Sequence, residues 1–334
     1  MTPYKIYIPR RLLETAWTAI LSSVNIAERG LMHHKRLSVY CLMFLLTVLV
    51  TGCKDDFRAQ SDLEGLEILA IQASPPSVTL GESTNLTALV FSENELPEYQ
   101  WSVCLFDTGP FDGFSCIDPA LECCIGDEKT AELSPDIFVN CNQDCIEGSD
   151  TDSETADLPI PDLSTEEGMG MLSELEEVRV RLRVTAGSAS IEAVKSVTLF
   201  KEGVRNTNPV FGELTYEGPA CDSDEHCVWP EDTVISVEAG VTLKLKTSLT
   251  PGESAEEDDQ LEGSSIAWFT AGAGMNELFS RADTAENQLQ IPEEEDLEDE
   301  TVILYLVGRD GNGGTAWTQR TLQVETTEEE KDEE

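Results

Sequence analysis

The chain has 334 residues, 65 acidic against 21 basic, for a formal net charge of −44. That balance excludes the basic surfaces nucleic-acid binders need against phosphate and disfavours docking on anionic lipid headgroups. The length suits about two domains. The first element in chain order is an apolar run, LSVYCLMFLLTVLV, over residues 37–50, with the basic cluster His33-His34-Lys35-Arg36 before it and Thr51-Gly52-Cys53 after it. A basic segment, a short apolar stretch and small residues before a cut site compose a secretory signal. The run has about 14 residues where a helix needs roughly 20 to cross a bilayer, which favours removal over a permanent span.

Val50-Thr51-Gly52-Cys53 resembles the lipobox of bacterial lipoproteins, in which an aliphatic residue, two small residues and a cysteine close the signal. The resemblance implies that the Cys53 thiol receives a diacylglycerol, that cleavage precedes Cys53, and that the new amine is acylated. Several acyl chains bury many methylenes at about 0.8 kcal/mol each, enough for stable anchoring. Lys54, not Asp, follows the cysteine. By resemblance to enteric bacteria this implies the outer membrane of a Gram-negative cell. A signal starting at Met32 has ordinary dimensions, so residues 1–31 are read as lying upstream of the true start and 32–52 as the signal peptide. A genuine N-terminal extension is the other reading. Loss of residues 1–52 takes the basic residues from 21 to 15 and the acids from 65 to 63, a balance of −48.

Residues 53–66 are polar and read as a tether. Strand signals follow. Leu66–Ala73 is apolar and is broken by Ser74-Pro75-Pro76, and Val78–Leu80 resumes it. In Ser83–Phe91, Leu86, Ala88 and Val90 alternate with polar or outward positions. Tyr99–Phe106 carries Trp101, and Val178–Val184 alternates valine or leucine with Arg179, Arg181 and Arg183. Period-two alternation places the aliphatic residues on a core face and the arginines in water. Ile191–Phe200 is the returning strand.

The second half repeats this order. Pro209–Tyr216 opens it, and Val234–Ala239 leads to Gly240. Leu243 and Leu245 then alternate with Lys244 and Lys246, Ile266–Thr270 carries Trp268, and Gln288–Ile291 is a short strand. Thr301–Arg309 and Ala316–Val324 flank Asp310-Gly311-Asn312-Gly313-Gly314, whose Asp-Gly and Asn-Gly pairs tolerate positive φ and signal a hairpin.

Tyr99-Gln100-Trp101, Ile266-Ala267-Trp268-Phe269 and the two terminal hairpins resemble bacterial Ig-like and PKD-like extracellular domains. The resemblance implies an all-β chain of two tandem Ig-like antiparallel β-sandwiches, over 67–200 and 205–325, with Trp101 and Trp268 packed between sheets. An acidic tail, 326–334, follows. The inter-sheet disulfide of antibody domains has no clear counterpart.

Eight cysteines remain beyond Cys41 and Cys53, an even number that reads as disulfides in an exported chain. Cys221 and Cys227 close a short loop and are the expected bridge. Cys104, Cys116, Cys123, Cys124, Cys141 and Cys145 cluster in a long insertion, about 104–170, and their pairing is open among 15 arrangements. The insertion then becomes acidic and Ser/Thr-rich from Glu147 to Glu167. Disulfides must hold its ordered part, because so polar a chain buries little surface. It reads either as a stapled decoration of one sandwich end or as a recognition loop, with Phe106, Phe111 and Phe114 as contact groups or as the loop's own core.

Catalytic chemistry finds little support. After signal removal His226 is the single histidine, and it sits in the Cys221–Cys227 loop. A zinc site there would need reduced thiols. Asp150–Glu154 fails as a calcium loop, with Thr155 where glycine and Pro161 where glutamate should stand. No phosphate loop or nucleophile elbow occurs. The expectation is a non-catalytic, lipid-anchored envelope protein without cofactor or metal, acting in display, adhesion or assembly. Its partners would be the membrane, through the lipid, and an envelope or extracellular protein or glycan. A calcium-stabilised adhesin using the acidic runs 253–262, 293–300 and 325–334 is the alternative.

Overall fold

A computed structural model describes residues 60–79, 82–93, 95–104, 106–109, 113–117, 122–134, 176–200, 205–221, 226–252, 263–297 and 299–326. The signal, the lipobox Val50–Cys53, Cys141, Cys145 and residues 327–334 of the tail lie outside the described residues.

The first sandwich holds β1 (Leu66–Ser74), β2 (Ser77–Thr79), β3 (Thr84–Ser92), β4 (Glu98–Cys104), β5 (Glu122–Gly126), β6 (Thr130–Leu133), β7 (Glu177–Ala186) and β8 (Ala189–Phe200). One sheet runs β1-β3-β6 and the other β2-β8-β7-β4-β5. The opening strand switches sheets at Ser74-Pro75-Pro76. Proline cannot donate to a ladder, so β1 stops there, and β2 joins the second sheet parallel to β8. Val178, Val180, Leu182 and Val184 on β7, with Trp101 and Val103 on the neighbouring β4, pack against Leu86 and Ala88 of the other sheet in one core. Trp101 is fully buried, and its indole Nε1 donates to the Glu128 carbonyl at 2.8 Å.

The second sandwich holds β9 (Val210–Phe211), β10 (Thr215–Glu217), β11 (Cys227–Val228), β12 (Val234–Glu238), β13 (Thr242–Lys246), β14 (Leu249–Thr250), β15 (Ser265–Ala271), β16 (Gly274–Met275), β17 (Phe279–Arg281), β18 (Glu286–Gln290), β19 (Thr301–Arg309) and β20 (Thr315–Glu325). Its sheets run β11-β10-β13-β18-β16 and β12-β20-β19-β15-β17, with β12 parallel to β20, and β9 pairs with β14. The two halves thus share one strand order, and the chain folds as two tandem Ig-like sandwiches. Trp268 lies on the strand equivalent to that of Trp101, fully buried, with Nε1 donating to Ser280 Oγ at 2.8 Å. A third indole, Trp229, is equally buried and meets Tyr216 edge-on at 5.9 Å, a packing position the sequence reading missed.

The sandwiches are not separate beads. Leu63, Leu69, Ala70, Leu89 and Phe91 from the first half bury a common cluster with Ala267, Tyr305 and Val307 from the second. The β1-β3 face and the β15-β19 face therefore stack, and both of those sheets are covered on two sides. Phe91 and Tyr305 meet edge-to-face at 6.4 Å. Gln72 Nε2 donates to the Thr315 carbonyl at 2.6 Å, and Asn208 bridges the Ala73 carbonyl and the Thr315 amide. The last residues of the expected tether also belong to this body. The Leu63 amide donates to the Thr270 carbonyl, the Thr270 amide to the Ser61 carbonyl, and Leu63 is buried.

One ion pair fixes the start of the second half. Arg205 donates to Glu82 at 2.6 Å, and the Glu82 carboxylate also accepts from the Thr79 amide. The Thr79 hydrogen bonds, with Arg205 adding to them, hold the Glu82 carboxyl down at about 2 from its ordinary 4.5. A depressed folded pKa means stability that is present above the unfolded value and lost as pH falls toward the folded one. The contact's contribution to stability is expected to be whole at pH 5 and to be lost as pH falls from about 4.5 to about 2, the carboxyl of the folded protein itself titrating near 2. Carbon-detected NMR titration of Glu82 checks this, and an ordinary midpoint near 4.5 would contradict it.

Candidate binding surface on the first sandwich

The outward face of β7 carries Arg179, Arg181 and Arg183, in register with Cys104, Ser102 and Gln100 on β4. The sequence reading placed these arginines in water. The structure corrects this for Arg179 and Arg181, because the start of the insertion folds over that end of the strand. Cys104 and Cys116 are disulfide-bonded, closing a loop of 12 residues' separation. A closed loop of that size removes roughly 3 kcal/mol of unfolded-chain entropy. Within it, the Thr108 amide donates to the Ser115 carbonyl and the Phe114 amide to the Gly109 carbonyl, both at 2.9 Å. Phe114 takes a φ of 56°, the left-handed region that costs a bulky residue energy.

That conformation presents the Phe114 ring to Arg179, whose guanidinium carbon stands 4.4 Å from the ring centroid. Arg179 also pairs with Asp107 from the loop and with Glu177 on its own strand. Arg181 donates to the Phe114 carbonyl at 3.0 Å and stands 3.5 Å from Glu122, whose carboxylate accepts from Ser102 Oγ at 2.6 Å. The Arg179 and Arg181 side chains are consequently only 22% and 18% exposed, whereas Arg183, beyond the loop and paired with Glu192, is 42% exposed.

The described part of the loop, 106–109 and 113–117, thus forms a layer tied to the sheet face through Arg179 and Arg181. Phe114, expected as either contact group or loop core, is half-buried with its ring against Arg179, and Phe111 lies outside the described residues. Ile117, which the sequence reading did not single out, is 61% exposed at the layer's rim. Cys123 and Cys124 on the neighbouring β5 are buried, and each takes part in a disulfide bond. Replacing Arg179 by alanine removes two ion pairs and the ring contact together. Amide exchange over 106–117 is expected to speed at least about tenfold, with the β4–β7 amides unchanged. Hydrogen-exchange mass spectrometry reads this, and unaltered loop protection would show that Arg179 does not hold the loop.

The histidine lies elsewhere. Cys221 and Cys227 are disulfide-bonded, so their sulfurs are not available as thiolate ligands. His226 Nδ1 lies 2.8 Å from Glu217 in a shallow groove of about 250 Å³ on the β10-β13-β18 face. Lys246 and Glu286 pair there at 2.8 Å. Each shifts the other, the amine upward and the carboxyl downward. The groove's charges largely satisfy one another. Among the described residues no group of three or more His, Cys, Asp or Glu is arranged to hold a metal ion.

No protein-family model and no curated protein matches the chain. Solved structures do. The first two Ig domains of the Drosophila receptor protein tyrosine phosphatase DLAR match at 11% identity and a TM-score of 0.24, covering 79% of this chain and all of that one. The two tandem V-type regions of a v-region-containing chitin-binding protein match at 12% identity and a TM-score of 0.28, covering 77% and 100%. A domain set from a 1.5-MDa bacterial ice-binding adhesin matches at 13% identity and 0.20, covering 80% and 67%. Likeness at this level carries no argument about ligand or activity. The tandem Ig-like fold rests on the strand order itself.

Proposed function

We propose that this chain is a non-catalytic envelope lipoprotein, anchored through acylated Cys53 and binding an envelope or extracellular protein or glycan through the insertion layer of its first sandwich. The observation that carries the proposal is the order of elements. A lipobox-like Val50–Cys53 stands directly before a disulfide-bonded, heavily acidic pair of sandwiches. Oxidised cysteines suit an exported chain.

The docking of Ser61–Leu63 adds a distance. Residues 54–60 alone separate Cys53 from the folded body, and at most about 3.6 Å per residue gives a reach of roughly 25 Å. The sandwiches would therefore stand close to the bilayer, and their net negative charge would hold them off anionic headgroups within a Debye length of about 8 Å. The insertion layer is the surface where the fold combines a disulfide, a strained backbone and partly buried arginine pairing, as expected where loop geometry is used for recognition. Lys54 after the cysteine supports sorting to the outer membrane.

A Cys53→Ser form is expected to lose fatty-acid label and to leave the membrane pellet for the soluble fraction. Persistence of the same acylated, membrane-sedimenting species would overturn the anchoring.

A further inference from the structure

A cleft of about 350 Å³ opens between β1 and β8 of the first sandwich and the β19-β20 hairpin of the second. Ile68, Ala70 and Val194 supply apolar wall, and Lys195 and Arg309 stand beside them. Val194 is 36% exposed there.

The two cations are unusual among the described residues in being half-buried without an ion pair, since Lys129, which also makes none, is exposed. Acids outnumber bases about threefold, 65 to 21. Arg179, Arg181, Arg183, Arg205, Arg320, Lys244 and Lys246 each have a carboxylate within 4.0 Å. Lys195 and Arg309, both half-buried, make no ion pair among the described residues. Lys195 Nζ donates to the Gly313 carbonyl and to Thr315 Oγ1, and Arg309 Nη2 donates to the Leu69 carbonyl at 3.2 Å. A guanidinium has five N–H donors and an ammonium three, so both retain donor capacity.

Asp310 is the nearby acid, and its carboxylate is already engaged by Asn206 and by two backbone amides. Burial lowers the Lys195 amine below its ordinary value and Arg309 lowers it further, with Asp310 opposing. Burial likewise lowers Arg309. One positive charge is left over in a partly dry, apolar-walled space, where an anion is held far more strongly than in water.

We propose that this cleft binds a monocarboxylate bearing a small apolar group, its carboxylate bridging Lys195 and Arg309 and its apolar part lying against Ile68 and Val194. The site is distinct from the insertion layer and does not depend on lipid anchoring. Such a carboxylate occurs in a short organic acid and at the end of a peptide chain, and two probes separate these sources.

The test is acylation of lysines in the purified full-length protein with an N-hydroxysuccinimide ester, read residue by residue by peptide mass spectrometry. Hexanoate and acetyl-alanyl-valine are the probes. Hexanamide, the dipeptide amide and sodium chloride at equal ionic strength are the controls. Labelling of Lys195 is expected to slow roughly tenfold at ten times Kd, the occupancy factor of simple mass action, with Lys244 and Lys246 unaffected. Protection by hexanoate alone assigns the site to organic acids, and protection by the dipeptide alone assigns it to chain ends. Unchanged Lys195 labelling with both acids, or equal protection by the amides, overturns the proposal. Arg309→Gln is expected to weaken the protective acid about tenfold. A variant with unchanged far-UV circular dichroism and undiminished protection overturns it too.

Discussion

Trp268→Ala is expected to destabilise the protein by about 3–5 kcal/mol, the range for deleting a buried aromatic side chain from a packed core. The indole is fully buried between Ile266, Leu304 and Leu306 of its own sheet and the facing β13-β18 sheet. Its removal opens a cavity and leaves Ser280 Oγ without its donor. The loss is a large share of the 5–15 kcal/mol that native domains typically possess. It also spreads, because the opposite face of β15 carries Ala267 into the cluster shared with the first sandwich. Urea unfolding followed by far-UV circular dichroism measures the change, which is expected in the signal from both sandwiches. A loss under about 1 kcal/mol would contradict the packing described.

Asp310→Ala is expected to cost about 3–5 kcal/mol for a different reason, the unmaking of a buried polar knot. Asp310 is 2% exposed at the tip of the β19-β20 hairpin. One carboxylate oxygen accepts from the Asn312 amide at 2.8 Å and the Gly314 amide at 2.9 Å, and the other accepts from Asn206 Nδ2 at 3.0 Å. The tip has no room to rearrange. Gly311 holds a φ of 78°, and a Cβ there would stand 3.0 Å from the Gly263 backbone. Asn206 begins the second half, and its amide also donates to Ser77 Oγ in the first. The knot therefore joins the sandwiches, and its loss is expected to split one thermal transition into two. Differential scanning calorimetry distinguishes the cases. A single transition at a lowered temperature would mean that the shared apolar cluster alone couples the halves, and an unchanged temperature would contradict the cost itself. Asp310→Asn keeps an acceptor and is expected to lose less.

Much of the fold is legible in the residues. Val178–Val184 and Leu243–Leu245 alternate because one face of each strand meets a core. Trp101 and Trp268 mark equivalent strands, and the glycines around Asn312 allow the positive φ angles their turn requires. What the alternation reading missed lies where both faces of a strand are covered. Val302–Val307 reads VILYLV without alternation because Val302, Leu304 and Leu306 face one core and Tyr305 and Val307 the other. Leu89, placed on the outward side of β3, is outward only with respect to its own sandwich. That unbroken run was the available sign of the inter-sandwich seam.

The candidate site was less legible. Nothing local tells Arg179 from Arg183. Their difference arises from a loop 72 residues upstream, which brings Asp107 to one and not to the other. Trp229 follows a disulfide loop instead of sitting in an alternating strand, so periodicity gives it no face. The edge strands β2 and β12 run parallel to their partners because each follows a sheet switch, a property of the path and not of the strand's own residues.

The proposed anchoring of these sandwiches through an acylated Cys53 is decided by the intact mass of the native protein together with metabolic fatty-acid labelling. A labelled species is expected, with the mass of residues 53–334 plus acyl chains, less two hydrogens for every disulfide. An unlabelled species that retains any of residues 32–52 would contradict it.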